Sequence, residues 1–111
     1  MDIKQYDIWL ADLNPSAGTE PGKTRPVVII QTDLLNEIHL STLICPITTN
    51  VMTEIKLLRV HLKKGQLDKL SDVLVYQVRA IDNKRLIKKL GHLTKEQIQI
   101  LKNNIRIMLD L

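Results

Sequence analysis

Hydrophobic and polar positions follow short strand-like patterns for most of the chain and change to a helical period only at its end. Tyr6 to Leu13 alternates loosely, the two-residue period of a half-buried strand. Val27-Val28-Ile29-Ile30 is unbroken, which predicts a strand covered on both faces and running on to Gln31. Arg25-Pro26 opens it, because proline forces the residue before it into extended backbone and is tolerated as a strand's first residue. Asp33 to Glu37 fits a short helical turn. Thr42 to Thr49 reads as another strand, with Pro46 marking a bulge or an unpaired position. Leu58 to Leu62, Val73 to Ile81 and Leu86 to Leu93 complete the strands.

From Thr94 onward the pattern turns helical. Thr94-Lys95-Glu96-Gln97 matches a capping box, with Thr94 as N-cap and Gln97 at the third helical position. At about 100° per residue, Ile98, Leu101, Ile105, Met108 and Leu109 fall on one stripe. Ile100, Ile107 and Leu111 widen the apolar arc to roughly 200°, against about 100° for an ordinary surface helix. One face can cover a sheet while the rest needs another partner, which predicts a dimer. Five or six short strands and one terminal helix predict a small, strongly bent antiparallel sheet, a partly open barrel that manages its own edges.

The 111 residues fit one domain spanning 1–111. With 44% hydrophobic and 25% charged residues, wholesale disorder is excluded. The longest apolar runs are far short of the roughly 18 to 20 residues of a membrane span. No basic segment leads into an apolar core at the N-terminus, so the expectation is a cytoplasmic protein with no membrane association. The lone Cys45 sits in an apolar run and reads as a buried thiol in a reducing compartment.

The net charge of +4 conceals a division. Residues 1–55 hold three bases against seven acids, and residues 56–111 hold thirteen against five. Arg79, Lys84, Arg85, Lys88 and Lys89 crowd together with only Asp82 opposing them. Such a field draws in a polyanion, although a solvated basic face explains the same run equally well. Tyr6, Trp9 and Tyr76 are the whole aromatic complement, too few for a sheet that binds single strands mainly by stacking.

Conventional catalytic constellations are absent. His39, His61 and His92 lack metal-ligand spacing, and a single cysteine excludes a Cys-rich zinc site, so neither metal nor cofactor is expected. There is no Gly-rich phosphate loop, and Ser16, Ser41 and Ser71 have no nucleophile-elbow context. What stands out is the long, Pro- and Gly-rich segment from Asn14 to Thr24, since long loops in compact domains tend to be functional. It leads into Arg25-Pro26 and the apolar strand, and Pro46-Ile47-Thr48-Thr49-Asn50 ends the strand after that.

These residues carry a resemblance. The G-x-E-x-x-K-x-R-P-V-V-I-I run over Gly18, Glu20, Lys23, Arg25 and onward is similar to the signature of the MazF/PemK toxin endoribonucleases. Pro46-Ile47-Thr48-Thr49 and the stretch from Val75 to Leu86 fall where that family has its second and third motifs. The resemblance implies an SH3-like small barrel of the MazF/CcdB/Kid type, mainly β with a C-terminal helix. It further implies a homodimer, a small antitoxin with an acidic flexible tail as partner, and metal-free cleavage of single-stranded RNA. The 2′-hydroxyl would attack the adjacent phosphate, leaving 2′,3′-cyclic phosphate and 5′-hydroxyl ends.

Carried over by position, Arg25 and Thr48 are the catalytic pair. Glu20, Lys23, Thr49, Gln77 and Arg79 are the supporting or substrate-binding residues. A guanidinium can meet two non-bridging oxygens as charge builds on them, and a threonine hydroxyl can add a further hydrogen bond. Deprotonating an arginine at pH 7 costs about 7 kcal/mol, so Arg25 belongs to electrostatic stabilisation, with Glu20 or solvent left as general base. Tyr76 stands where a smaller or more polar residue is expected, which bears on RNA sequence preference. Two alternatives share the fold: a CcdB-like toxin that binds gyrase without enzymatic activity, and an inactive RNA-binding module. The chain's end, Met108-Leu109-Asp110-Leu111, lacks the tryptophan-containing tip expected of the first.

Overall fold

The computed structural model describes residues 2–14 and 23–111. Among these, β1 (Asp7–Asp12), β2 (Thr24–Ile29), β3 (Ser41–Thr48), β4 (Arg59–His61), β5 (Asp72–Leu74), β6 (Arg79–Asp82) and β7 (Leu86–His92) form one antiparallel sheet. The strand order is β4-β5-β3-β2-β1-β7, with β6 also on β3. A short α1 (Asp33–Asn36) precedes β3, and α2 (Lys95–Leu109) closes the chain. The sheet is bent and barrel-like without closing, and seven strands replace the expected five or six.

The strand covered on both faces is present. Val27, Val28 and Ile29 are fully buried, and alternate residues enter different cores. Val28 joins Ile8, Cys45, Ile47, Val60 and Leu101, whereas Val27 and Ile29 join Trp9, Ala11, Ile44 and Ile81. Burial pushes the Cys45 thiol up to about 12, so it is protonated at neutral pH and inert. Tyr6, expected in the first strand, takes a left-handed backbone (φ 71°), and β1 begins one residue later.

The two prolines decide where pairing stops. Ile30 N–H donates to Leu43 C=O, and the register runs Ile29↔Ile44, Val28↔Cys45, Val27↔Pro46. Bonded and non-bonded pairs alternate in an antiparallel ladder, so Val27↔Pro46 is a non-bonded rung that needs no N–H from proline. Pro46 therefore sits in a regular β2–β3 register without a bulge. The rung after it would need an N–H from Pro26, and the β2–β3 pairing ends there.

The expected continuous strand from Val73 to Ile81 is broken. A 3₁₀ turn at Val75–Gln77 separates β5 from β6. Both strands pair with the same edge of β3: Val73 faces Ile47 and Arg79 faces Ile44. The turn absorbs the residues that the β5–β6 side has in excess over β3, which lets β5 swing out to pair with β4.

Both bonds of the capping box are made, Gln97 N–H to Thr94 Oγ1 and Thr94 N–H to Gln97 Oε1. Helix α2 packs Ile98, Leu101, Ile105 and Met108 on the core. Leu109, expected on that stripe, is exposed, because the helix ends there and Asp110 turns left-handed (φ 57°). Ile100, Ile107 and Leu111 are exposed as their positions off the stripe predict. No helix among the described residues is long and apolar enough to cross a membrane.

Candidate active site

A cleft of about 600 Å³ lies among β1, the start of β2, the end of β3, β7 and the β4–β5 connection. Leu10, Pro26, Ile47, Leu67 and Leu90 supply its apolar lining, and Arg25, Lys69 and Lys88 oppose Asp68 as its charged lining. Three cations against one carboxylate favour an anionic ligand, and the apolar patches beside them suit the flat faces of bases.

Arg25 reaches this cleft from the second residue of β2. The β2–β3 ladder ends at Val27↔Pro46, and Arg25 on β2 and Thr48 on β3 each lie two residues beyond that last rung. Thr48 is the last residue of β3, half-buried, and Thr49 beyond it lines the cleft. The Thr48 hydroxyl oxygen accepts the Asn50 N–H at 3.1 Å. That occupies an acceptor lone pair and leaves the hydroxyl proton to be donated elsewhere, the role a phosphoryl oxygen would require.

The other expected residues are dispersed. Glu20 falls among residues 15–22, outside the described residues, as does most of the long connection that holds it. Lys23 is exposed with left-handed backbone (φ 65°), its N–H donating to Asn14 Oδ1 at 2.7 Å. Gln77 ends the 3₁₀ turn, Arg79 opens β6 opposite Ile44, and neither lines the cleft. Tyr76 is exposed. The basic run divides in the same way. Lys88 lines the cleft, Lys89 pairs with Asp7 at 3.3 Å, and Arg85 donates to the backbone carbonyls of Asp12 and Asn14.

Sequence reasoning missed two groups. The β4–β5 connection, with Gln66, Asp68 and Lys69, lines the cleft and carried no motif to mark it. Asp72, fully buried, lies across from Thr48 in the β3–β5 register. Its desolvation pushes the carboxyl up, but hydrogen bonds from His61, Arg59 and the Met52 N–H outweigh this and hold it below the ordinary carboxylate range. A charged residue opening the apolar run Val73-Leu74-Val75 was the available signal.

With this geometry in place, comparison with known proteins is informative. The family profile described as "PemK-like, MazF-like toxin of type II toxin-antitoxin system" matches residues 4–109. The endoribonuclease MazF of Staphylococcus epidermidis is 38% identical over 112 residues, covering 98% of this chain and 92% of that protein. The crystal structure of MazF from Deinococcus radiodurans superposes with a TM-score of 0.86 at 19% identity, covering 100% of this chain and 99% of that one. A MazE–MazF structure from the same organism gives a TM-score of 0.82 at 17% identity, covering 100% and 99%.

Proposed function

Because this chain belongs to the PemK-like, MazF-like toxin family of type II toxin–antitoxin systems and is an endoribonuclease of that family, we propose that it cleaves single-stranded RNA without a metal, using Arg25 and Thr48. The 2′-oxygen attacks the adjacent phosphorus, the bond to the 5′-oxygen breaks, and 2′,3′-cyclic phosphate and 5′-hydroxyl ends result. The 2′-hydroxyl proton passes to a base, Glu20 or water, and the departing 5′-oxygen takes up a proton. Arg25 bridges non-bridging oxygens as their charge grows, and the Thr48 hydroxyl donates to the same centre. Lys23, Thr49, Gln77 and Arg79 guide the strand on either side of the cut, and Lys69 and Lys88 hold its phosphates.

The observation that supports this reading is a cationic cleft lined by Arg25 and Thr49, with Thr48 next in the chain and two residues beyond the last β2–β3 rung, as Arg25 is on β2. The chain acts as one domain, residues 1–111, in the cytoplasm. It works as a homodimer, for which the exposed Ile100, Ile107 and Leu109 of the C-terminal helix, with Leu111 just beyond it, supply apolar surface. Its partner is an antitoxin, as in the MazE–MazF structure, whose acidic tail would compete with RNA for the cations of the cleft.

The test is incubation of purified protein with mixed-sequence single-stranded RNA in EDTA. Discrete fragments with cyclic-phosphate ends are expected from the wild type, and Arg25→Ala should fold normally yet lose nearly all cleavage. Binding without scission, or more than about a tenth of wild-type rate in Arg25→Ala, would overturn the assignment, since one such electrostatic contact is worth about a hundredfold or more.

A further inference from the structure

The segment that follows Thr48 has no regular structure, yet it is tied down at several points by polar side chains. Arg59 Nη1 donates to the Asn50 C=O at 3.0 Å and to Asp72 Oδ2 at 2.9 Å. Asp72 Oδ2 also accepts the Met52 N–H at 3.1 Å. His61 Nδ1 meets Asp72 Oδ1 at 2.6 Å, and its Nε2 meets the Ile55 C=O at 2.8 Å. Residues 50, 52 and 55 are thus all held by one cluster on β4 and β5. Both Asp72 and Arg59 are buried, so their hydrogen bonds are made without competition from water. Helix α2 fixes the far end, where Asn104 accepts the Leu58 N–H at 3.1 Å and donates to the Arg59 C=O at 3.2 Å.

The cluster reaches the proposed reaction centre through Asn50. Its carbonyl is bound by Arg59, and its N–H is the donor to Thr48 Oγ1. An ionised carboxylate and a carbonyl both only accept, so each ring nitrogen of His61 is aimed at an acceptor. The charged groups bonded around the ring are Asp72 on β5 and, through its second oxygen, Arg59 on β4. Helix α2 contributes neutral Gln97, which approaches the His61 C=O at 3.5 Å, and the exposed Glu54, Lys56 and Lys63 flank the site along the chain.

We propose that Asp72, Arg59 and His61 form a clamp that positions the 50–55 segment and, through Asn50, the Thr48 hydroxyl for RNA cleavage. Asp72 and His61 are positioning residues and do not touch the substrate. The proposal rests on the function proposed above. It makes cleavage sensitive to a group outside the cleft.

Two measurements test it on the full chain. Amide hydrogen exchange at Met52, whose N–H Asp72 accepts, should quicken in His61→Ala relative to wild type, and unchanged exchange would overturn the clamp. This holds whether or not the protein cleaves RNA, so the clamp and the function reading fail separately. The second measurement is kcat and KM on a short RNA for wild type, His61→Ala and His61→Gln. The wild type should exceed His61→Ala in kcat by roughly tenfold with KM little changed, as loss of a hydrogen bond to a charged group predicts. His61→Gln keeps an amide donor and should recover part of that rate, and an alanine variant with wild-type kcat would overturn the clamp. His61 is partly exposed, so its variants should fold, and melting curves verify that they do.

Discussion

Replacing Thr48 with valine keeps the branched shape and removes only the hydroxyl. Thr48 is half-buried, and the N–H that its oxygen accepts belongs to the exposed Asn50, so water can take the vacated place. The stability loss should be about 0.5 to 1 kcal/mol, the net worth of an ordinary hydrogen bond. That corresponds to a fall of about 5 °C in Tm for a domain of this size. The kinetic effect should be far larger. A donor aimed at charge that develops only in the transition state is worth about 3 kcal/mol, or a hundred- to thousandfold in kcat. KM should move by less than about threefold, because the contact is not made to ground-state RNA. The assay is steady-state and single-turnover cleavage of a fluorogenic single-stranded oligonucleotide, alongside thermal melts. Thr48→Ser retains the hydroxyl and should recover most of the lost rate. A valine variant within about tenfold of wild-type kcat would refute the reasoning, since the smallest donor effect expected is about a hundredfold. So would a serine variant no better than valine.

Other outcomes follow from the same structure. Lys69→Ala and Lys88→Ala should each lower the slope of log affinity for single-stranded RNA against log salt by about 0.7, and unchanged slopes would remove these residues from phosphate binding. Asp72 is held below the ordinary carboxylate range, so its contribution to stability is fully present above the unfolded carboxyl value of about 3.9 and is lost as pH falls through its lower folded value. Acid titration of unfolding free energy should therefore show a loss in that window that Asp72→Asn lacks, and superimposable profiles would contradict it. Sedimentation at micromolar concentration should give the mass of two chains, and a monomer would overturn the homodimer.

Much of this fold was legible because its signals are local. The capping box needs only Thr94 and Gln97 at their spacing, and both of its bonds are made. The unbroken Val-Val-Ile-Ile run marked a strand buried on both faces, and its residues do enter two cores. Local signals failed where one strand had to serve two partners. Val73 to Ile81 carries no breaker, yet it turns at Val75–Gln77 because β3 passes from β6 to β5 along one edge. Leu109 had the right period for the core but lies where the helix ends.

The site divides along the same line. The resemblance carried by the motifs around them singled out Arg25 and Thr48 before any coordinate, because those motifs are contiguous runs of the chain itself. That both lie just past the same end of the β2–β3 ladder follows from the register of the two strands, which many side chains set together and no motif encodes. The pairing of Asp72 with Arg59 and His61 belongs to the tertiary structure as well. The sequence holds Asp72 more than ten residues from both with nothing to link them. Only the antiparallel meeting of β4 and β5 brings Asp72 and Arg59 into a volume without water, where each must be neutralised by the other.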